Sequence, residues 1–268
     1  DLAYHNSLMV QIWSAIAAKD ATLMVHTMSR FTGLPSTTAW GVYLRCHDDI
    51  GWAVTDEDAA ALQISGPAHR TYLSDFYEGG FAGSFAQGVL FQVNEATGDK
   101  RISGSFASLA GLEKAATPAD TDMAIQRILM GHALIACFGG IPLIYMGDEL
   151  AMLNDYSYRD NPDHAHDSRW VHRPKMDWEA AATRHSNDSP ASRTFLGVKH
   201  ILARRRATAG LHAGHPTRIL PTGQAAIFAV QRQAPTGSIL CLFNFSEHWQ
   251  HLSGNWLRAH GVVQFHDA

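Results

Sequence analysis

Two short apolar runs in this chain end abruptly in acids. Trp40-Gly41-Val42-Tyr43-Leu44 leads into Arg45-Cys46-His47-Asp48-Asp49, and Pro142-Leu143-Ile144-Tyr145 leads into Gly147-Asp148-Glu149. A short continuous apolar run reads as a strand buried on both faces, the habit of parallel sheets. Acids packed at the end of such a strand are costly to desolvate, so they are paired or do chemistry. Parallel strands need crossover connections, and the sequence supplies a helix for one. Thr117-Pro118-Ala119-Asp120 is a helix start, with a cap, a proline at the first position and an acid in the first turn. That helix is predicted to reach about Phe138 and to stop at Gly139-Gly140. Helix, glycine stop, apolar strand and polar strand end together make a βα-type unit.

Asn6 is placed to cap a helix whose apolar positions, Leu8, Met9, Ile12, Trp13 and Ile16, have helical spacing. A second helical run follows Asp20 and is predicted to end near Leu34-Pro35. From Ile50 to about Lys114 the pattern is irregular, broken by Gly79-Gly80, Gly83, Gly88, Gly98 and Gly104. That excursion is too long for a simple connection and reads as a small subdomain inserted over a site. A polar loop leads to Asp167-Ser168-Arg169-Trp170, and a helix is predicted over 192–206. Past Gly210 the runs Ala226-Ile227-Phe228-Ala229-Val230 and Ile239-Leu240-Cys241-Leu242-Phe243-Asn244-Phe245 are β-like, which suggests a separate antiparallel domain.

Composition narrows the function classes. The chain has 268 residues, 46% hydrophobic and 17% charged, enough for a packed core without disulfide or metal staples. Its formal charge of −4 carries no basic excess toward nucleic acid or an anionic membrane. The most apolar stretch, 133–146, is interrupted by Gly139-Gly140 and Pro142 and is too short to span a bilayer. Cys46, Cys137 and Cys241 lie far apart in sequence and form no disulfide framework or CxxC metal pair. The cysteine usage points toward a reducing compartment.

On residues alone, His47-Asp48 is a polar pair for a sugar hydroxyl or a metal, or else caps the next turn. The 7 Trp, 7 Tyr and 12 Phe suit sugar stacking and a large core equally. His164, His166 and His172, with Asp163 and Asp167, fit no strong zinc pattern. There is no phosphate-cradling loop ending in Lys-Ser/Thr and no nucleophile elbow. Arg204-Arg205-Arg206 reads as cations at a helix carboxyl end.

The segment Tyr43-Leu44-Arg45-Cys46-His47-Asp48-Asp49-Ile50-Gly51-Trp52 resembles the seventh-strand motif of the alpha-amylase family of glycoside hydrolases. Within that family it is similar to the amylosucrases and their sucrose hydrolase relatives. Four further segments agree in order: Tyr4-His5-Asn6-Ser7-Leu8-Met9, Gly98-Asp99-Lys100-Arg101-Ile102-Ser103-Gly104, Pro142 through Glu149, and Asp167 through Pro174. Asn154-Asp155 and Phe243-Asn244-Phe245-Ser246-Glu247 match as well.

The resemblance implies the C-terminal part of a (β/α)8 barrel, followed by an antiparallel β-sandwich. Residues 1–49 would run from helix six to strand seven, and 50–115 would form the inserted lid. Residues 116–208 would carry helix seven, strand eight and helix eight, and 209–268 a truncated sandwich. It implies a retaining mechanism with an aspartate nucleophile, a glutamate acid/base and a third carboxylate. Asp48 would be that third carboxylate, bonding the 2- and 3-hydroxyls of the glucosyl ring, with His47 donating to the same ring. Asp49 and Arg101 would serve the fructosyl or acceptor side, with the Gly98-Asp99 turn aiming Arg101 inward. Arg169 would close the blind end of the glucosyl pocket, paired with an aspartate expected upstream of these residues.

Some features depart from the family pattern. The Gly-x-Arg-x-Asp-Ala-type nucleophile segment is not in the sequence, and the general acid is expected before Tyr4. Glu149 matches a structural Gly-Asp-Glu rather than a catalyst, and the loop 156–166 is unlike the family's. The implied activity is glucosyl transfer from sucrose to an α-glucan such as glycogen, without cofactor or metal. The alternatives are a sucrose hydrolase and a non-catalytic amylase-like scaffold, with an isomerase or phosphorylase further off. The 268 residues by themselves are expected to be inactive on sucrose and poorly soluble. No nucleic acid or membrane partner is expected, and a homo-oligomer is left open. A bacterial protein, cytoplasmic or secreted, is expected, with the cytoplasm favoured.

Overall fold

The computed structural model describes residues 1–262, apart from 32, 36, 186, 187 and 236. Strand β1 (Leu2–Tyr4) is followed by helices α1 (Asn6–Ala18) and α2 (Thr22–Ser29), then strand β2 (Ala39–Tyr43). Residues 50–115 form α3 (Asp56–Ala61), α4 (Gly66–Glu78), β3 (Val89–Val93), β4 (Lys100–Ser103) and α5 (Phe106–Leu109). Then come α6 (Pro118–Phe138), β5 (Ile141–Leu143), α7 (Trp178–Thr183) and α8 (Pro190–Ala207). The chain continues through β6 (Thr217–Leu220), β7 (Ile227–Ala234), β8 (Gly237–Asn244) and α9 (Gly254–Ala259).

The acid-ended strands are neighbours in one parallel sheet of order β1-β2-β5. Tyr4 faces Gly41 and Val42 faces Pro142 in register. An edge strand at Leu2–Tyr4 was not anticipated. Three residues are too few to show a hydrophobic pattern, so only its pairing with β2 marks it as a strand. The connections are helical, as parallel pairing requires. The first, α1 with α2, is anchored by Leu8, Ile12 and Trp13, which are fully buried.

Local signals decided most helix ends. Thr117 and Asp120 form a reciprocal capping box, with Asp120 N–H to Thr117 Oγ1 at 3.2 Å and Thr117 N–H to Asp120 Oδ2 at 2.9 Å. Gly140, at φ +89, follows α6 where a Cβ would stand 2.4 Å from the Trp40 carbonyl, so this close approach to β2 requires glycine. Two expectations needed revision. The α1 cap is His5, whose Nδ1 accepts from Leu8 N–H at 3.3 Å, while Asn6 instead accepts from the Tyr43 hydroxyl. α2 ends at Ser29, before the Gly33-Leu34-Pro35 break that disfavours helix. α8 starts at Pro190, with the Ser189 hydroxyl accepting from Ser192 N–H at 3.1 Å.

Residues 50–115 merge their buried side chains with the rest of the core. Leu73, Tyr77, Ile102 and Phe106 belong to one apolar cluster with Leu8, Trp13, Leu44 and Ile128. A single antiparallel bridge, Ile50 to Ile102, stitches β4 to the chain leaving β2, with N–H···O distances of 2.7 and 3.0 Å.

The C-terminal segment is a β6-β7-β8 antiparallel meander. Of the truncated sandwich that the resemblance implies for this segment, the described residues form this one sheet. Its inner residues Phe228, Val230 and Phe243 join the main core, with Phe228 stacked on Phe138 of α6. Helix rather than sheet therefore covers that face. Arg232 of β7 is fully buried and donates to the carbonyls of Cys137, His212 and His215 at 2.7–3.0 Å. Arg205, from the Arg204-Arg205-Arg206 run, donates to the carbonyls of Ala136 and Gly140. Arg205 thus satisfies the carboxyl end of α6, a different helix from its own.

Cys46, Cys137 and Cys241 are free thiols. Among the described residues no helix is long and apolar enough to cross a membrane.

Candidate active site at the end of strand β2

β2 carries the chain through buried Val42, Tyr43 and Leu44 and then presents its polar residues in sequence. The Leu44 carbonyl accepts from Trp13 Nε1 at 2.7 Å. Arg45 turns inward, and its Nε and Nη2 each stand 2.7 Å from Asp148 Oδ1, with both side chains almost wholly buried. Its Nη1 reaches the His172 carbonyl at 3.3 Å, and its guanidinium lies over the Tyr145 ring. The two acid-ended strands are therefore joined by a buried ion pair, which accounts for Asp148 without any catalytic role.

His172 completes this frame. Its Nδ1 accepts from Gly104 N–H at 3.1 Å, and its Nε2 faces the His47 carbonyl at 3.3 Å. An N–H donor on one side and a carbonyl on the other select the neutral tautomer protonated at Nε2. Burial, reinforced by the Arg45 cation, holds its pKa down at about 3. Arg173 Nε donates to the same His47 carbonyl at 2.9 Å. The backbone at His47 is thus clamped, while its imidazole is exposed.

Asp48 and Asp49 follow. Asp48 Oδ1 accepts from Asp49 N–H at 3.0 Å and from Arg169 Nη1 at 2.9 Å, and half of the side chain stays accessible. Burial opposes its ionisation, but the Arg169 cation and the Asp49 side chain and N–H outweigh it and hold its pKa at about 2. Asp49 behaves in the opposite way. Its side chain is 3% exposed, and burial and the Asp48 carboxylate raise its pKa against the pull of Arg101. Arg101 Nη1 stands 3.3 Å from Asp49 Oδ2. Two adjacent carboxyls with pKa values pushed apart are an arrangement in which one stays charged and its neighbour protonates more readily.

Arg169 holds Asp167 in a fork, with Nε and Nη2 each 2.9 Å from a carboxylate oxygen, and its plane lies over Phe91 of β3. Among the described residues its carboxylate partners are Asp48 and Asp167.

A cleft of about 920 Å³ opens beside these groups. His47, Asp48, Asp49 and Arg101 all line it, with Tyr4, Trp52 and Arg70. Arg169 does not line it and reaches it only through Asp48. The β3–β4 hairpin that carries Arg101 is held by Arg70, which bonds Asp99 at 2.9 Å, Asp56 at 2.8 Å and the Val54 carbonyl at 2.9 Å. Among the described residues no cluster of three or more His, Cys, Asp or Glu is arranged for a metal ion. His164 stacks on Trp170 instead, and His172 is engaged as above.

Sequence reasoning missed three participants. Arg45 and His172 lie inside the matched segments but were given no role, and Arg70 lay in an irregular stretch without a motif. The available signal was positional. A cation directly after a buried strand must find a buried partner.

No family model matches the chain. Solved structures do. A sucrose 6F-phosphate phosphorylase from Thermoanaerobacter thermosaccharolyticum superposes with a TM-score of 0.63 at 14% identity, over 91% of this chain and 43% of that one. An alpha-amylase from Geobacillus thermoleovorans, complexed with acarbose, gives 0.51 at 15% identity, over 95% and 39%. The likeness is to enzymes of the alpha-amylase type, and at these identities it is a likeness of fold. The chain spans about two fifths of the length of the structures it matches.

Proposed function

We propose that these residues form part of an amylosucrase-type enzyme that takes glucose from sucrose with retention and passes it to an α-glucan. The observation that carries the reading is the pairing of Asp48 with Arg169, beside Asp49 with Arg101, at one strand end that opens on a cleft. In this reading the parallel strands belong to a (β/α)8 barrel, and the nucleophile and acid/base lie outside these 268 residues.

Asp48, kept ionised by Arg169, accepts hydrogen bonds from two adjacent hydroxyls of the glucosyl ring. Those bonds strengthen as the ring flattens toward the oxocarbenium-like state, which lowers the barrier rather than merely tightening binding. His47, its backbone clamped by His172 and Arg173, offers its imidazole to the same ring. Asp49 and Arg101 face the leaving fructose and the incoming acceptor. Arg169 acts through Asp48 as a positioning residue. Sucrose carries its own activated glucosyl group, so the reaction draws on no organic cofactor.

The test is to incubate the enzyme that carries these residues with sucrose alone and to measure fructose, glucose and insoluble glucan. Fructose in excess of glucose, with glucan formed, supports transfer. Equal glucose and fructose without glucan identifies a sucrose hydrolase. No release of either sugar rejects the reading in favour of a non-catalytic scaffold.

A further inference from the structure

Charge is spread unevenly along this chain. The stretch 189–246 holds seven lysines and arginines and no aspartate or glutamate, although the chain as a whole is acidic. Among the described residues, only Arg193 of the seven meets a carboxylate. Folding gathers two of the others at one place. Arg232 of β7 donates to the Cys137 carbonyl, and Arg205 of α8 to those of Ala136 and Gly140, all at the carboxyl end of α6. That helix end supplies about half a negative charge, too little for two guanidinium groups. Arg232 is fully buried, and its Nε is a buried donor with no partner among the described residues. Burial lowers the pKa of both, and for Arg232 the Arg205 charge adds to the effect. Buried cations are ordinarily paired with anions, so this pair lacks a counter-charge among the described residues.

A cavity of about 520 Å³ opens beside Arg205. Arg205, Arg206 and His212 line it, and Pro142, Leu202 and Leu211 give it apolar wall. Arg206 is exposed and has no hydrogen-bond or ion-pair partner among the described residues. Arg205 keeps N–H donors beyond those it spends on carbonyls. His212 Nδ1 accepts from Gly214 N–H at 3.2 Å, which places the proton of the neutral ring on Nε2. We propose that this cavity binds a small phosphate monoester. Its phosphoryl oxygens accept from Arg205, Arg206 and His212 Nε2, and its organic part packs on Pro142, Leu202 and Leu211. A phosphoryl group carries a charge of about −2 at neutral pH, which balances the Arg205 and Arg232 cations. The guanidinium fork matches its oxygens, and a carboxylate brings only half the charge. Pro142 lies in β5, whose far end leads to Gly147-Asp148, so the phosphate ester and a sugar in the cleft bind independently.

The test titrates the full polypeptide that carries these residues with phenyl phosphate, by calorimetry at constant ionic strength. Binding is expected, and Arg206→Ala should weaken it at least about tenfold by removing one charge-assisted contact. Benzoate, a carboxylate of similar shape, should bind at least about tenfold more weakly than phenyl phosphate. Inorganic phosphate should compete for the site, and sucrose should not. On the unmutated protein, phenyl phosphate should slow phenylglyoxal modification of Arg206, mapped by mass spectrometry. Arg204, exposed on the same helix but outside the cavity, should react as before. No binding, undiminished binding to Arg206→Ala, equal affinity for benzoate or displacement by sucrose would each overturn the proposal. So would equal protection of Arg204 and Arg206. The labelling decides this even where the alanine variant fails to fold.

Discussion

Arg169 binds two aspartates at once. Its Nη1 lies 2.9 Å from Asp48 Oδ1, and its Nε and Nη2 fork onto Asp167. Asp167 fixes the guanidinium, so Asp48 meets a cation that is already oriented. Little side-chain entropy is left to lose when the Asp48 contact forms.

Asp48→Asn removes the charge while keeping the shape. In the enzyme that carries these residues, sucrose turnover should fall at least about a hundredfold, the loss of roughly 3 kcal/mol of transition-state stabilisation. Circular dichroism and the urea midpoint should stay near those of the parent, since half of the Asp48 side chain is exposed. Near-normal turnover would remove Asp48 from the mechanism.

Arg169→Gln should raise the Asp48 pKa. With Arg169 in place, the folded value of about 2 lies below the ordinary 3.8. The stabilising contribution of this carboxylate is then present above 3.8 and lost as pH falls through about 2. Without Arg169 the midpoint should move up toward the ordinary value, as read from carboxyl carbon shifts during an NMR titration. An unmoved midpoint would show that other groups hold the charge.

The buried pair of Arg45 and Asp148 gives a stability prediction. Asp148→Leu leaves the Arg45 cation buried beside a single carbonyl and should cost about 3–5 kcal/mol in urea unfolding. The double variant Arg45→Met with Asp148→Leu should recover most of that loss, because no uncompensated charge is left. Equal losses in the single and double variants would instead point to packing as the source.

Three buried histidines set an acid limit. Burial holds His5 and His132 at about 4 and His172 at about 3, against an ordinary 6.5. Folded values below the unfolded one mean that the unfolded chain takes up protons first. Their stabilising contribution is full above 6.5 and shrinks as pH falls toward those values. The urea midpoint should therefore drop steadily below pH 6.5, and less steeply in His172→Gln. A midpoint that stays level down to pH 5 would contradict these neutral histidines.

Alanine at Arg101 or Asp49 should alter the balance between transfer and hydrolysis more than it alters total sucrose consumption. Product ratios at fixed sucrose conversion, with and without glycogen, measure this. A uniform loss of all products would assign both residues to the glucosyl side or to folding.

Much of the secondary structure was legible because its causes are local. The Thr117–Asp120 capping box, the Gly139-Gly140 stop and the apolar runs of β2 and β7 depend on residues within one or two turns of each other. The clustering of His47, Asp48 and Asp49 was legible for the same reason, as consecutive residues leaving a buried strand. Partnerships were not legible. Arg169 meets Asp48 across 121 positions, and His172 meets His47 across 125. The sequence by itself determined helices such as α1, α6 and α8, the strands β2, β5, β7 and β8, and which polar groups leave the buried strand ends. The tertiary structure decided which charge meets which, because burial makes every polar group find a partner, and the nearest one in space is set by packing.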